Sequence, residues 1–168
     1  APSQDIAALA GQELVVEAIV EDLTVKAKVL TEVGAIAQLA VLASNTSSLQ
    51  ISDISTATAA RNPVIGLHFF NPPSVMKLVE VIFLPETPGD VRRRAVETLQ
   101  AAGKNPIVCA DTPGFVVNRC ARPFYGEAFA ILDEKQHSAA QIDAAMTAAG
   151  YRIGPFALID LIGVDVHL

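Results

Sequence analysis

A histidine and a glutamate lie inside two apolar segments where packing alone would not place them. His68 is near the end of the segment 64–69, and Glu80 is in the middle of the segment 78–82. Both segments are rich in branched residues and predict β-strands, and the two prolines at 72–73 predict a loop between them. A buried carboxylate without a partner is costly. The sequence therefore predicts two strands that fold back on each other and bring the imidazole to the carboxylate.

A carboxylate that holds an imidazole produces an oriented general base, which can take a proton from a substrate hydroxyl near neutral pH. A purely structural His68–Glu80 pair accounts for the same two residues equally well. These residues alone leave both interpretations open.

Composition limits the remaining possibilities. The chain has 168 residues, of which 51% are hydrophobic and 18% charged, and its formal charge is −6. The charged fraction is low for a soluble domain, and the length suits one domain with a large core, or one domain plus part of another. The acidic balance without a basic stripe argues against nucleic acid as a partner. No apolar run is long enough for a membrane helix, which needs ~20 residues. Cys109 and Cys120 have no metal-ligand spacing, and we expect both to be reduced and buried in an intracellular protein; no metal site is expected.

Alternating strand and helix patterns must position these residues. The run 14–20 predicts a strand buried on both faces, and a helix follows from about residue 22 to Gly34. A strand at 39–43 opens into the polar cluster 44–48, and a helix follows over 49–59. This rhythm predicts a doubly wound sheet, in which ligands bind beyond the carboxyl ends of the strands. The cluster 44–48 lies at such an end.

Sheet units continue to about residue 110, and helices dominate after it. A helix over 89–102 carries arginines at 92–94, which we expect on a solvated face because consecutive helical residues cannot converge on one ligand. A strand over 106–110 follows it.

From there, Asp111 is expected to cap a buried helix over 114–132, apolar nearly all round. Two further helices are predicted over 138–150 and from 154 toward 168. We therefore place a domain boundary near residue 110, which divides the chain into domains of 1–110 and 111–168.

Several motifs, in this order, resemble those of the 3-hydroxyacyl-CoA dehydrogenases, including the 3-hydroxybutyryl-CoA type. The resemblance covers nearly the whole chain. The matching stretches are VEAIVE (16–21), SNTSSL (44–49), LHFFNP (67–72), MKLVEV (76–81), DTPGFVVNR (111–119) and GYRIGPF (150–156).

The resemblance implies four residues near the chemistry. His68 would be the general base that takes the 3-hydroxyl proton, and Glu80 the acid that orients it. Ser47 and Asn118 would hold the substrate's oxygen and thioester end. Without the resemblance, Ser47 with Gln50 is better explained as a capping box, and Asn118 could equally bridge two packed helices.

The resemblance also implies that Glu21, Lys26, Ser47 and Asn71 line the site of the cofactor NAD. From the residues alone, Lys26 would be a solvated lysine on the face opposite the apolar stripe of its helix, and Glu21 would cap the positive end of that helix. His137 and His167 are expected at the surface, without a role.

One departure from the family concerns the cofactor. The family begins with a strand and a Gly-x-Gly-x-x-Gly turn that holds the pyrophosphate, and no such turn occurs in the sequence. The resemblance therefore implies an incomplete chain. It would hold the latter part of a doubly wound Rossmann-like dinucleotide-binding domain followed by the first helices of an all-α domain. On its own it would bind NAD poorly and be inactive.

The implied function is oxidation of L-3-hydroxyacyl-CoA to 3-ketoacyl-CoA with hydride transfer to NAD, in fatty-acid β-oxidation or related acyl-CoA catabolism. An acyl-CoA would be the substrate, and a homodimer would form through the helical domain. No membrane is expected as a partner. Two alternatives remain: a crystallin-like structural protein on the same scaffold, and the dehydrogenase segment of a multifunctional β-oxidation protein. The cytoplasm is expected because no targeting segment is visible, although a lost N-terminus could carry one.

Overall fold

A computed structural model of the chain describes residues 3–162. The chain divides after Val116 into two compact units. The first contains a five-stranded sheet with helices, and the second consists of helices.

The first unit is built on a mixed sheet. Its strands are β1 (Leu14–Glu17), β2 (Val41–Ser44), β3 (Val64–Phe69), β4 (Leu78–Ile82) and β5 (Asn105–Cys109), and they lie in sequence order across the sheet. The first three strands are parallel, β4 is antiparallel to β3, and β5 is parallel to β4. The carboxyl ends of β1, β2 and β3 therefore meet at one edge, and β4 begins at that edge.

Helices pack on both faces of this sheet, which gives the Rossmann-like α/β architecture expected from the sequence. They are α1 (Leu23–Ile36) and α2 (Ile51–Ala57) on one face, and α3 (Gly89–Ala101) on the other. Side chains alternate along each strand. Ile65, Leu67 and Val81 therefore face α3, whereas Ile82 and Cys109 face the side of α1 and α2.

The run 14–20 forms a shorter strand than expected. Only Leu14–Glu17 is extended in the sheet, and Val20 is 65% exposed. Residues 18–20 lie beyond the end of β1, and among the described residues β1 has a neighbouring strand on one side only.

Gly34 does not end the first helix, contrary to expectation. The helix α1 continues to Ile36, and Gly34 lies inside it. A Cβ atom at this position would come within 2.5 Å of the Ala60 Cβ atom. The glycine is thus needed for close packing against the segment after α2, and not for termination.

The arginines of α3 do not form one solvated face. The Arg92 guanidinium donates hydrogen bonds to the carbonyl oxygens of Leu84 (2.6 Å) and Thr87 (2.9 Å). Arg93 pairs with Glu97 one turn along, as the expectation of an exposed face implies. Arg92 instead ties the start of α3 to the loop that precedes it.

The second unit contains α4 (Val117–Asp133), α5 (Ala139–Ala148) and α6 (Pro155–Ile162). The predicted capping box at Ser138 and Gln141 is present. The prediction that α4 is buried on every side is wrong for the described chain: of its residues only Ala128 is buried, Phe129 is half exposed, and Cys120 is exposed rather than buried. The expected helix toward 168 is described only as far as residue 162, and His167 lies outside the described residues.

No helix within residues 3–162 combines the length and hydropathy that crossing a bilayer requires.

Candidate active site

The histidine and glutamate singled out in the sequence form a close pair. His68 in β3 and Glu80 in β4 are direct partners in the antiparallel register. The His68 Nδ1 atom lies 2.7 Å from the Glu80 Oε2 atom, and Glu80 is 0% exposed. With the carboxylate ionised, Nδ1 carries the hydrogen and donates it, so the Nε2 lone pair is the site that can accept a proton. The folded-back strands and their pairing are as predicted.

Aromatic rings surround the imidazole. The ring centroid of Phe70 lies 4.6 Å from that of His68, and the centroid of Phe115 lies 5.8 Å away. Phe115 is buried, and the His68 side chain is 8% exposed. Such apolar walls limit the rotation of the imidazole and lower the local dielectric, which strengthens its interaction with Glu80.

The second oxygen of Glu80 is also held. Its Oε1 atom accepts a hydrogen bond of 2.8 Å from the backbone N–H of Val116, and the Cys109 Sγ atom lies 3.8 Å from it. Neither partner was expected from the sequence, because each lies about thirty residues or more from Glu80 along the chain.

The polar cluster 44–48 lies at the carboxyl end of β2, as predicted. Asn45 extends the pairing of β2 with β3, because its Oδ1 atom accepts a 2.8 Å hydrogen bond from the Phe69 N–H. Phe69 directly follows His68, so this bond ties the cluster to the histidine strand. Sequence reasoning missed Asn45; its signal was an amide directly after a buried strand.

Glu21 organises this cluster from the neighbouring strand end. Its Oε1 atom accepts hydrogen bonds from the Thr46 hydroxyl (2.5 Å), the backbone N–H groups of Ser47 and Ser48 (2.9 Å each) and the Ser48 hydroxyl (2.9 Å). Burial opposes ionisation, but these donors outweigh it and lower the pKa of Glu21 from 4.5 to about 2. The default expectation that Glu21 caps the helix α1 is wrong, because Asp22 is the capping residue.

Lys26 is a buried cation and not the solvated lysine expected by default. It is 1% exposed, and its Nζ atom lies 3.0 Å from both carboxylate oxygens of Glu17 and 3.3 Å from the Glu21 Oε2 atom. Glu17 also accepts a short hydrogen bond from the Ser44 hydroxyl. Sequence reasoning missed Glu17, although a carboxylate in a buried strand was the same signal that identified Glu80.

Ser47 is half-buried and does not cap α2, so the predicted Ser47–Gln50 capping box is wrong. That helix begins at Ile51, where the Asp111 carboxylate accepts hydrogen bonds from the N–H groups of Ile51 (2.8 Å) and Ser52 (2.9 Å). Asp111 was expected to cap the helix that follows it, but it instead caps a helix 60 residues earlier in the chain. Ser47 is thereby left at the sheet edge.

Asn71 is exposed in the loop between β3 and β4, two residues beyond the end of β3. Lys104 holds this loop: its ammonium donates a hydrogen bond to the Met76 carbonyl oxygen (2.9 Å) and a short one to the Pro73 carbonyl oxygen. The structure thus places Glu21, Ser47, His68 and Asn71 at one edge of the sheet.

Asn118 belongs to the second unit, in the first turn of α4, and is half-buried. Its proximity to His68 stays a prediction from the resemblance.

The polar groups at this edge suit part of a dinucleotide. Hydroxyl groups of Ser47 and Ser48 and the Asn71 amide can hydrogen-bond a ribose and a carboxamide, and the edge lies beyond the carboxyl ends of three parallel strands. The His68 imidazole lies at the same edge and can exchange a proton with a bound hydroxyl. The donors thus fit the nicotinamide half, whereas the sequence contains no glycine turn for the pyrophosphate.

Comparison with known proteins places both parts of the chain in one family. Residues 1–112 match the family model described as "3-hydroxyacyl-CoA dehydrogenase, NAD binding domain", and residues 114–168 match the model of the family's C-terminal domain. The chain is 47% identical over 155 residues to human mitochondrial hydroxyacyl-coenzyme A dehydrogenase, covering 91% of this chain and 49% of that protein. The chain thus spans about half the length of this curated relative.

Two solved structures are similar to the chain in fold. A crystal structure of 3-hydroxybutyryl-CoA dehydrogenase from Escherichia coli K12 has a TM-score of 0.89 and 44% identity, covering 99% of this chain and 36% of that one. The dehydrogenase part of a multifunctional enzyme from C. elegans has a TM-score of 0.66 and 29% identity, covering 96% and 38% respectively. Because residues 1–112 and 114–168 match the models of its two domains, the chain belongs to the 3-hydroxyacyl-CoA dehydrogenase family.

Proposed function

We propose that the protein oxidises an L-3-hydroxyacyl-CoA to the 3-ketoacyl-CoA, with NAD as the hydride acceptor. The observation that carries this proposal is the buried His68–Glu80 pair at the strand edge of an NAD-binding domain, with 2.7 Å between Nδ1 and Oε2. Bound NAD⁺ supplies a site at C4 of its nicotinamide ring for the hydride that leaves C3 of the substrate. The residues of this chain handle the proton.

His68 takes the proton of the 3-hydroxyl group at Nε2 while the hydride leaves C3. The C–O bond gains double-bond character as the O–H and C–H bonds break, and the imidazole becomes a cation. Glu80 stabilises that cation through Nδ1, and its fixed position avoids reorganisation during the reaction. The reverse reduction uses the same residues, with His68 as the acid.

Ser47 and Asn118 are the residues we assign to the substrate's oxygen and thioester end, in agreement with the family resemblance. Ser47 and Asn71 would line the nicotinamide half of the cofactor, and Glu21 would hold the backbone of Ser47 in place. Lys26 is buried against Glu17 and Glu21. We therefore propose that it acts on the cofactor site through these carboxylates and not by direct contact.

The test measures NADH-dependent reduction of acetoacetyl-CoA by the full-length polypeptide. We expect turnover in the wild type, and we expect His68→Gln to lower kcat by about 10²–10⁴-fold, since that is the usual contribution of a positioned acid or base. The matched control is His137→Gln, because His137 is an exposed histidine far along the chain in the second unit.

NADH binding, followed by the fluorescence of the reduced cofactor, should be unchanged in His68→Gln. If the His68→Gln variant turns over substrate as fast as the wild type, His68 is not the base. A folded wild type that binds NADH but reduces no 3-ketoacyl-CoA would favour the crystallin-like structural role over the enzyme.

We further propose that residues 1–110 belong to the cofactor domain and that 111–168 begin the substrate and dimerisation domain, through which the complete protein would form a homodimer. The matched family models, which adjoin between residues 112 and 114, support this division. A cytoplasmic location stays a prediction; the human relative is named as mitochondrial. A role in β-oxidation or related acyl-CoA catabolism follows from the proposed substrate.

A second possibility is that these residues form the dehydrogenase segment of a multifunctional protein. The similarity to the dehydrogenase part of the C. elegans multifunctional enzyme supports this alternative. The mass of the native polypeptide distinguishes it from a stand-alone dehydrogenase.

A further inference from the structure

We propose that Cys109 is a positioning residue of the His68–Glu80 pair. Its thiol and the Val116 N–H both hold the Oε1 atom of Glu80, the carboxylate oxygen that does not contact His68, and so limit the proton affinity of His68. This inference rests on the proposed function for its kinetic consequence, but the contacts that carry it belong to the structure alone.

The three side chains converge from adjacent strands. His68 comes from β3, Glu80 from β4 and Cys109 from β5, and all three lie on the same face of the sheet. The Cys109 Sγ atom lies 3.8 Å from the Glu80 Oε1 atom and 3.6 Å from the Ile107 carbonyl oxygen. Between these two acceptors, the ionised carboxylate attracts the thiol hydrogen more strongly.

The thiol keeps its hydrogen at neutral pH and is therefore a donor. Burial raises the pKa of Cys109 to about 11, and the adjacent charge of Glu80 acts in the same direction. A thiolate at this point would repel Glu80, whereas a thiol can share its hydrogen with Oε1.

The stronger donor on the same oxygen comes from a conformationally unusual turn. Gly114 and Phe115 both have positive φ, +74° and +45°, and this turn directs the Val116 N–H to Oε1 at 2.8 Å. Phe115 is a non-glycine residue in the left-handed region, a costly conformation that persists where the surroundings enforce it. Here its buried ring lies beside the imidazole.

Donors on Oε1 weaken the attraction between Glu80 and a protonated His68. They stabilise the negative charge of the carboxylate at Oε1, and the attraction between Oε2 and the imidazolium is therefore weaker. Removing the thiol donor leaves the carboxylate charge less compensated. Protonated His68 then becomes more favourable, and a higher pH is needed to generate the free base.

The experiment compares Cys109→Ala and Cys109→Val, which remove the donor, with Cys109→Ser, which keeps one. In the full-length enzyme, the acidic limb of the pH profile for 3-hydroxyacyl-CoA oxidation should move up by about half a pH unit in the Ala and Val variants. The Ser variant should keep the wild-type limb. Cys120→Ala, at an exposed cysteine, is the matched control.

A purely structural cysteine gives a different pattern. The three variants would then lose thermal stability according to how far each side chain departs from cysteine in volume and polarity, with the acidic limb unmoved. That outcome, or equal movement in the Ser, Ala and Val variants, would overturn the proposal. The Val variant keeps the apolar contacts and allows the test if the Ala variant does not fold.

An NMR titration of the His68 imidazole in the same variants separates this inference from the proposed function. It requires no turnover, and the His68→Gln spectrum assigns the resonance. If the titration midpoint rises in Cys109→Ala and no acyl-CoA is turned over, the positioning role stands and the function fails. If acyl-CoA is turned over and the midpoint does not change in Cys109→Ala, the proposed function stands and the positioning role fails.

Discussion

At the scale of single residues, each buried charged side chain among residues 3–162 has a partner within hydrogen-bonding distance. Glu80 holds His68, and Lys26 lies between the carboxylates of Glu17 and Glu21. Burying ions costs several kcal/mol each unless partners compensate. These pairs therefore position side chains and loops at a specific edge of the sheet, and their removal should affect function as well as stability.

Replacing Lys26 with methionine should destabilise the protein by about 3–5 kcal/mol, because it leaves the Glu17 carboxylate buried without a cation. The Glu17 side chain is 3% exposed and its two oxygens both lie 3.0 Å from the Lys26 Nζ atom. Urea unfolding followed by circular dichroism measures this loss.

Combining Lys26→Met with Glu17→Gln should restore part of the lost stability, since the uncompensated charge is then removed. Lys28→Met is the matched control, because Lys28 lies on the same helix and is exposed. A Lys26→Met protein as stable as the control would show that this ion pair has no net structural value.

At the scale of elements, aspartates that are distant in sequence cap two helices in the same way. The Asp111 carboxylate accepts hydrogen bonds from Ile51 and Ser52 at the start of α2. In the second unit, the Asp143 carboxylate accepts equivalent bonds of 2.9 Å from Phe156 and Ala157 at the start of α6. Each cap satisfies two otherwise unpaired N–H groups and fixes the position of a helix relative to another element.

This symmetry provides a matched pair of variants. Asp111→Ala and Asp143→Ala should each cost about 1–2 kcal/mol, the usual range for the loss of a helix cap. Only Asp111→Ala should also raise the KM for NADH several-fold, because α2 directly follows the cluster that contains Ser47. Steady-state kinetics and thermal unfolding of both variants check this expectation.

An equal change in KM for both variants would contradict the local role of Asp111. A change in kcat for Asp111→Ala, without one in KM, would place its effect on His68 instead of on the cofactor side.

The helices and strands themselves were largely predictable, because the alternating and helical apolar patterns are local. Within residues 3–162, five strands and six α-helices occur close to the expected positions. The caps were not predictable in the same way. Asp111 precedes a Pro-Gly turn and has the local signature of a helix start, whereas its carboxylate binds a helix 60 residues away that only the folded sheet brings near.

The site residues likewise differ in how well the sequence predicts them. His68 and Glu80 could be paired from the sequence because a carboxylate in an apolar strand requires a nearby partner. Lys26 could not be placed, since its partner Glu17 lies in the preceding strand and the lysine's helical position indicated solvent. Cys109 gave no signal, because a cysteine in a strand reads as an ordinary core residue.

At the scale of the whole molecule, the chain carries a net charge of −6, and its acidic groups have different consequences for folding. Exposed carboxylates with ordinary surroundings affect stability little. Glu21 is different, because the hydrogen bonds to its ionised form exist only in the folded state. It joins the end of β1 to the cluster after β2, and therefore links two strand ends.

The stability of the folded protein should therefore fall as the pH decreases from about 4.5 to about 2. The pKa of Glu21 is about 2 in the folded state and 4.5 without the fold, so its contribution is complete above pH 4.5 and disappears as the folded carboxylate takes up a proton. Glu21→Gln should be less stable than the wild type at pH 7, and the difference should shrink toward pH 2. Urea unfolding at a series of pH values measures both curves, with Glu134→Gln, at an exposed carboxylate of the second unit, as the control. Parallel curves for Glu21→Gln and the wild type would show that the donors around Glu21 do not depend on its charge, whereas converging curves would identify this carboxylate as an acid-sensitive link between the strand ends.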